Sequence, residues 1–219
     1  MGMKILITLL VILKCFTAFG HVPSPGDVHL KKLFKKNRLT IVNREAKVGK
    51  EESIVFIELL LNEDEGLAWI DGMDFKTGII ELDLKGQDVF QHSFLGIAFH
   101  GSNDTTFEAI YFRPFQFRTT DTVRQKRAVQ YINLPEGTWS KLRETQSGKF
   151  ENSVTPAPDP NDWFHARFVI TEKEALVYIN NRPTPCLRVP LLGARSGKIG
   201  LYTADRSDGS FANLRIIKG

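Results

Sequence analysis

The sequence predicts an all-β fold, an antiparallel sandwich of two sheets, and three observations carry that prediction. Short runs in which apolar and polar residues alternate recur along most of the chain, whereas the repeat of an amphipathic helix is scarce. Clusters of Gly, Asn, Asp, Ser and Pro separate these runs. The 219 residues, less a leader, have the length at which a sandwich forms one domain around a core that needs no covalent staples.

Residues 1–20 read as an export signal, leaving 21–219 as the single domain. Lys4 supplies a positive start, residues 5–12 are an apolar run with Thr8 its one polar residue, and Ala18-Phe19-Gly20 puts small residues at a cleavage site. The run is too short to cross a bilayer core of about 30 Å as a helix, and Lys14 interrupts it, so no membrane span is expected. Cys15 follows Lys14, not the small residue of a lipid-attachment site. The expected location is secreted or periplasmic. Losing Lys4 and Lys14 takes the formal charge from +4 to +2, which is weak ground for a nucleic-acid partner, and none is expected. The basic run Lys31, Lys32, Lys35, Lys36 and Arg38 reads as a solvated lead-in to the first strand. Cys186 is then the one remaining cysteine, and between Pro185 and Leu187 it reads as a small buried hydrophobe.

The strands follow in order. Residues 54–61 are the most continuous apolar run, broken by Glu58, and point to a strand buried on both faces. Residues 78–85 alternate: Ile80, Leu82 and Leu84 face one way, Ile79, Glu81 and Asp83 the other. Runs at 94–100, 107–112, 128–132, 163–170, 176–180, 199–203 and 211–217 repeat the pattern, with turn chemistry at 101–104, 180–183 and 207–210. Two connections are longer, 133–151 and 152–162. The second carries Pro156, Pro158 and Pro160, which cannot donate to a ladder. A helix of two turns at most is expected over 138–144. Long loops on a rigid sandwich are where function concentrates.

From Ile70 onward, several segments carry a family resemblance. They are Phe75-Lys76-Thr77-Gly78-Ile79-Ile80-Glu81-Leu82-Asp83, Gly96-Ile97-Ala98-Phe99-His100 and Phe107-Glu108-Ala109-Ile110-Tyr111-Phe112-Arg113. Trp163-Phe164-His165, Val177-Tyr178-Ile179-Asn180, Gly197-Lys198-Ile199-Gly200-Leu201 and Phe211-Ala212-Asn213-Leu214 follow. Together they resemble the concanavalin A-like lectin/glucanase superfamily. They are similar in particular to the laminin-G-like and 3-keto-disaccharide hydrolase (sugar hydrolase) group of secreted bacterial domains. The resemblance implies a jelly roll with one concave sheet whose face is crossed by a carbohydrate, an oligo- or polysaccharide. Such folds host lectins and hydrolases alike. Glycan binding stands first, hydrolysis of glycosides or 3-keto sugars second, and a structural or protein-interaction role third.

Three constellations could carry the chemistry. Glu81-Leu82-Asp83 resembles the Glu-x-Asp core of a catalytic strand in retaining β-glucanases, although Lys85 and Gly86 stand where those enzymes place a second Glu. Retaining hydrolysis needs two carboxyl groups about 5–5.5 Å apart. The second constellation is His100, Glu108, Tyr111 and Arg113 across an expected hairpin. The resemblance makes Glu108 the first candidate acid/base and Glu81 the second, although Ile110 stands where the sugar-hydrolase group has Gln. Strand parity sets His100 with Gly96 and Ala98, and Glu108 opposite Tyr111, so all four share a cleft only if a bulge intervenes. In the third, Gln130, Tyr131, Trp139 and Arg143 offer the flat rings and planar amide and guanidinium donors that suit sugar faces and hydroxyl rims. Trp163, at a strand start beside His165, reads as core packing. Asp205, Asp208 and Asn213 offer oxygen atoms but fall short of the 6–8 ligands calcium takes, so no metal and no cofactor is expected.

Overall fold

A computed structural model of the chain describes residues 26–219, so residues 1–20, read above as an export signal, lie outside the described residues. The first half contains α1 (Leu30–Lys35), β1 (Leu39–Val42), β2 (Ala46–Glu51), β3 (Ile54–Leu59), β4 (Gly66–Phe75), β5 (Gly78–Lys85), β6 (Leu95–Gly101) and β7 (Phe107–Phe112). The second half adds α2 (Thr122–Gln125), β8 (Val129–Leu134), α3 (Trp139–Thr145), β9 (Glu151–Asn152), β10 (Phe164–Ile170), β11 (Glu174–Ile179), β12 (Leu187–Pro190), β13 (Gly197–Thr203) and β14 (Gly209–Lys218). They form two antiparallel seven-stranded sheets, one ordered β1-β4-β13-β6-β7-β8-β9 and the other β12-β11-β10-β5-β14-β3-β2. Among the described residues no helix is long and apolar enough to cross a membrane.

Alternation with period two builds the core. Ile80, Leu82 and Leu84 of β5 join Phe164 and Phe168 of β10 and Phe211 of β14, and they meet Ile97, Phe99, Ile110, Phe112 and Leu201 of the facing sheet. On β5 the other parity, Ile79, Glu81, Asp83 and Lys85, stays partly open, as expected for a half-covered antiparallel sheet.

The β1–β9 sheet differs because its outer face is also covered. Every residue of β6 and β7 is buried. A second apolar cluster of Leu67, Trp69, Ala98, Phe107, Ala109, Tyr111, Ile132 and Tyr202 lies on that face. Its rings form a chain. Trp69 meets Phe107 at 5.8 Å between centroids, Phe107 meets Tyr202 at 5.9 Å, and Tyr202 meets Tyr111 at 5.6 Å. Tyr111 then meets Phe94 at 6.1 Å, and Phe94 meets Phe115 at 5.4 Å. Small residues beneath make room for these rings. At Gly96 any side chain is excluded, because a Cβ would stand 2.1 Å from the Ile110 carbonyl oxygen.

Two local expectations are corrected and one is refined. The 54–61 strand is not buried on both faces: β3 is next to the edge strand β2, and Val55 is exposed. The basic run is the solvated lead-in expected, but most of it is the helix α1, which alternation did not place there: its lysines face solvent while Leu30 is buried and Leu33 and Phe34 pack on the core. Trp163 lies on the outer face of the β2–β12 sheet, 5.4 Å from the Phe56 ring, with Nε1 donating to Glu51 at 3.3 Å. Alternation also misses β4, ten residues long, because Leu67, Ala68, Trp69 and Ile70 are all buried and no period shows there.

Candidate functional site

The loop after β5, the segment after β7 and α3 wall a pocket on the outer face of the β1–β9 sheet. Tyr111, Arg113, Trp139 and Arg143, four of the residues singled out from sequence, line it together with Phe94, Phe115, Arg124, Arg127, Tyr202, Glu65 and Asp205. Its volume is about 230 Å³, below the roughly 300–1,000 Å³ of sites that enclose drug-sized ligands. One or two sugar rings fit that scale better than an enclosed polymer.

Local chemistry places each group. Thr138 caps α3, its Oγ1 accepting from the Lys141 N–H at 3.3 Å, so Trp139 begins the helix and Arg143 follows one turn later on the same side. The Arg143 guanidinium stacks 4.8 Å over the Trp139 ring and donates to both oxygens of Glu151, with Nη2 at 2.5 Å from Oε2. Trp139 is 48% exposed, an open aromatic face at the pocket rim. Asp121 caps α2 through the Val123 and Arg124 N–H groups and pairs with the Arg124 side chain at 2.8 Å.

Arg113 follows β7 and is buried. Its Nη1 donates to the Arg127 carbonyl at 2.7 Å and its Nη2 to the Tyr111 hydroxyl at 2.9 Å. Burial pulls the guanidinium below its ordinary pKa and pushes the Tyr111 phenol up to about 12. Gln130 is buried behind them. Its amide nitrogen donates to the Tyr131 and Phe150 carbonyls, and its oxygen lies 3.5 Å from Arg113 Nη2, so it braces Arg113.

Sequence reasoning missed Glu65 and Tyr202. Glu65 ends the acidic run Glu63-Asp64-Glu65, and the Tyr202 hydroxyl, 137 residues away, donates to it. Burial holds the Glu65 carboxyl above its ordinary value of 4.5, outweighing the opposing pulls of Tyr202 and Arg44 and reinforced by Asp64 and Asp205. The folded chain therefore binds this proton more tightly than the unfolded chain. The contribution to stability is full below the ordinary value and is lost as pH rises through the raised one. Urea unfolding of wild type and Glu65→Gln from about pH 4 to about pH 7 reads this directly. The stability of wild type relative to Glu65→Gln should fall across that window; a flat or rising difference contradicts the assignment.

His100, Glu108 and Tyr131 stand apart, on the inner side of the same sheet. Phe99 pairs with Glu108 in the β6–β7 ladder, so both point into the sandwich. His100 has φ 53°, which breaks the alternation expected from parity and brings its ring to Glu108, Nδ1 to Oε2 2.7 Å. An irregularity thus exists, but it moves His100 to the side of Glu108 and leaves Tyr111 and Arg113 on the other. Tyr131 Oη and the Gly193 N–H donate to Glu108 Oε1, and Tyr131 Oη accepts from Leu192 N at 2.9 Å. Glu108 and His100 are each 1% exposed.

Glu81 lies on the outer face of the opposite sheet, ion-paired with Arg215 at 3.2 Å. Beside it Asp83 accepts from Asn213 at 2.6 Å and contacts His165 Nδ1 at 2.8 Å. Asn213 is thereby drawn away from Asp208, which accepts from Gln87 at 2.7 Å. Among the described residues no group of three or more His, Cys, Asp or Glu could hold a metal ion. Cys186 is free, and burial pushes its thiol up to about 12, far from the reactive range. A larger depression beside α1 is lined by Lys31, Lys32, Lys35 and Lys36 but by no Phe, Tyr or Trp.

Comparison with known proteins places the fold. No protein-family model matches the chain, and no curated protein matches it. Solved structures do match. The carbohydrate binding module CBM66 from Bacillus subtilis aligns over 81% of this chain and 93% of its own, with TM-score 0.58 and 12% identity. A glycoside hydrolase family 16 endo-glucanase from Bacteroides ovatus aligns over 83% and 95%, with TM-score 0.54 and 11% identity. A Bacillus subtilis protein of unknown function with a galectin-like fold aligns over 83% and 90%, with TM-score 0.53 and 11% identity. The chain has the concanavalin A-like jelly-roll fold.

Proposed function

We propose that this domain binds a carbohydrate in the pocket on the outer face of the β1–β9 sheet, the counterpart of the concave face expected from the sequence. One observation carries the reading. A small pocket joins a row of aromatic rings, an exposed Trp139 face and fixed guanidinium and carboxyl groups, the combination that recognises both the apolar C–H face and the hydroxyl rim of a sugar. The carbohydrate binding module and the glycoside hydrolase among the fold neighbours support the reading by analogy. The same proposal includes export and removal of residues 1–20, supported by the apolar run and Ala18-Phe19-Gly20.

The test uses the indole N–H signals of the three tryptophans in an NMR titration with pooled oligosaccharides. Trp139 lines the pocket while Trp163 lies on the other sheet. The Trp139 signal should shift saturably, with that of Trp163 unmoved. A shift confined to Trp163 would move the ligand to the opposite sheet and defeat the proposal.

Hydrolysis is the second reading. The observation that favours it is that two carboxyl groups, Glu65 and Asp205, share the pocket and burial holds that of Glu65 above its ordinary pKa; a carboxyl tuned upward to act as general acid, with a second carboxyl at hand, is what glycoside cleavage uses. Sugar released by wild type but not by Glu65→Gln would place hydrolysis first. Binding without release keeps the first reading.

A further inference from the structure

Arg113 is a buried cation that the fold leaves without a counter-ion. It is 4% exposed. Its partners are the Arg127 carbonyl, the Tyr111 hydroxyl, the Gln130 amide oxygen and the rings of Tyr111 and Phe94, whose centroids lie 4.9 and 5.6 Å from Cζ. All are uncharged, and among the described residues no Asp or Glu oxygen lies within 4.0 Å of it. The other arginines of the pocket each have a carboxylate within ion-pair distance. Arg124 pairs with Asp121 at 2.8 Å, and Arg127 and Arg143 pair with Glu151 at 3.7 and 2.5 Å. Buried charges are ordinarily paired, because taking a guanidinium out of water costs more than neutral partners return.

Arg44 shows how this fold closes a guanidinium that is purely structural. It too is buried, and it donates to the carbonyls of Asn43, Glu63 and Asp64 and to the Thr203 hydroxyl. Arg113 uses at most three of its five N–H groups, and it lines the pocket. The acidic groups of the pocket are Glu65 and Asp205. Glu65 is held by Tyr202 and senses Arg44, which gives the pocket a basic side around Arg113 and an acidic side around Glu65.

We infer that the pocket selects an acidic saccharide, one carrying a carboxylate or a sulfate ester, and that Arg113 is the residue that receives the anionic group. The inference rests on the pocket being the saccharide site. The Nε–H and one Nη1–H of Arg113 remain to donate to the oxygens of a carboxylate or sulfate, and the dry setting strengthens that charge-assisted contact. Arg143 and its partner Glu151 both act on Arg113 electrostatically, in opposite senses, and because Arg127 shares that one carboxylate this side of the pocket stays net positive. Sugar hydroxyls then face Glu65, whose carboxyl oxygens can accept from them.

Calorimetry on the full chain tests this with three probes: hexuronan oligosaccharides, the same pool after chemical reduction of its carboxyl groups, and sulfated galactan oligosaccharides. The hexuronan or the sulfated pool should bind roughly tenfold or more tighter than the reduced pool, with the advantage shrinking as salt rises. Which of the two acidic pools binds identifies the anion. Arg113→Lys keeps the charge but not the planar set of N–H donors, and should lose most of the preference in the fraction that stays folded. If that variant does not fold, the wild-type comparison of acidic and reduced pools decides alone. A reduced pool that binds as well as the acidic ones overturns the inference and leaves the saccharide site standing. No binding by any pool, with the Trp139 signal unmoved, removes both.

Discussion

Replacing Glu108 by alanine is expected to cost about 3–5 kcal/mol of folding stability, the range for breaking a buried charged pair. The geometry explains the size. His100 Nε2 lies 2.7 Å from the Lys76 carbonyl, which can only accept, so that nitrogen carries a proton. Nδ1 at 2.7 Å from Glu108 Oε2 then requires a second proton between ring and carboxyl. The pair is held as an imidazolium with a carboxylate, or as one proton shared between them. Tyr131 and the Gly193 N–H complete the site. Burial and the neighbouring Glu108 charge both push the Tyr131 phenol well up, which keeps it a donor. Alanine at 108 strands all three partners in the interior. Glu108→Gln, which retains an acceptor for Tyr131, should cost less. Chemical denaturation measures both. The folded fraction of each variant should bind sugar as wild type does, because the network lies on the face of the sheet away from the pocket. A variant of full stability that had lost turnover or binding would instead return Glu108 to the chemistry.

The second large effect is expected at Trp139. Trp139→Ala should weaken saccharide affinity by about 2 kcal/mol, roughly 30-fold, as removal of an interfacial aromatic anchor does. The melting temperature should stay close to wild type. Trp139 is 48% exposed, and the capping bond that starts α3 comes from Thr138, so the ring contributes little to the core. Its removal also frees Arg143 from the stack at 4.8 Å, although both Glu151 oxygens still hold the guanidinium. Trp139→Phe should recover part of the affinity, since a flat apolar face remains. Affinity and melting temperature must be read together: a parallel loss of both would mean that Trp139 is a packing residue and not a sugar platform.

The sequence by itself determined what local alternation can encode. The inward set Ile80, Leu82 and Leu84, the strands at residues 107–112 and 199–203, the turns and the short helix capped by Thr138 all follow from side chains a few residues apart. The two-sheet antiparallel class follows from their number and spacing. Legible too were Tyr111 and Arg113 in one constellation and Trp139 and Arg143 in another, from residue type and position, but not that these four line one pocket. Only the tertiary structure decided which faces they share. His100 leaves its expected side because its backbone turns left-handed, and no neighbour in sequence announces that. Glu65 becomes a pocket residue because β13 lies between β4 and β6, which brings Tyr202 to it across 137 residues. Strand β4 escapes notice because burial on both faces erases the period that reveals a strand. The uncompensated charge of Arg113 is likewise a property of what fails to surround it. A side chain's type and parity are written locally, whereas its burial and its partners depend on strand order, and strand order is fixed only when the two sheets close on each other.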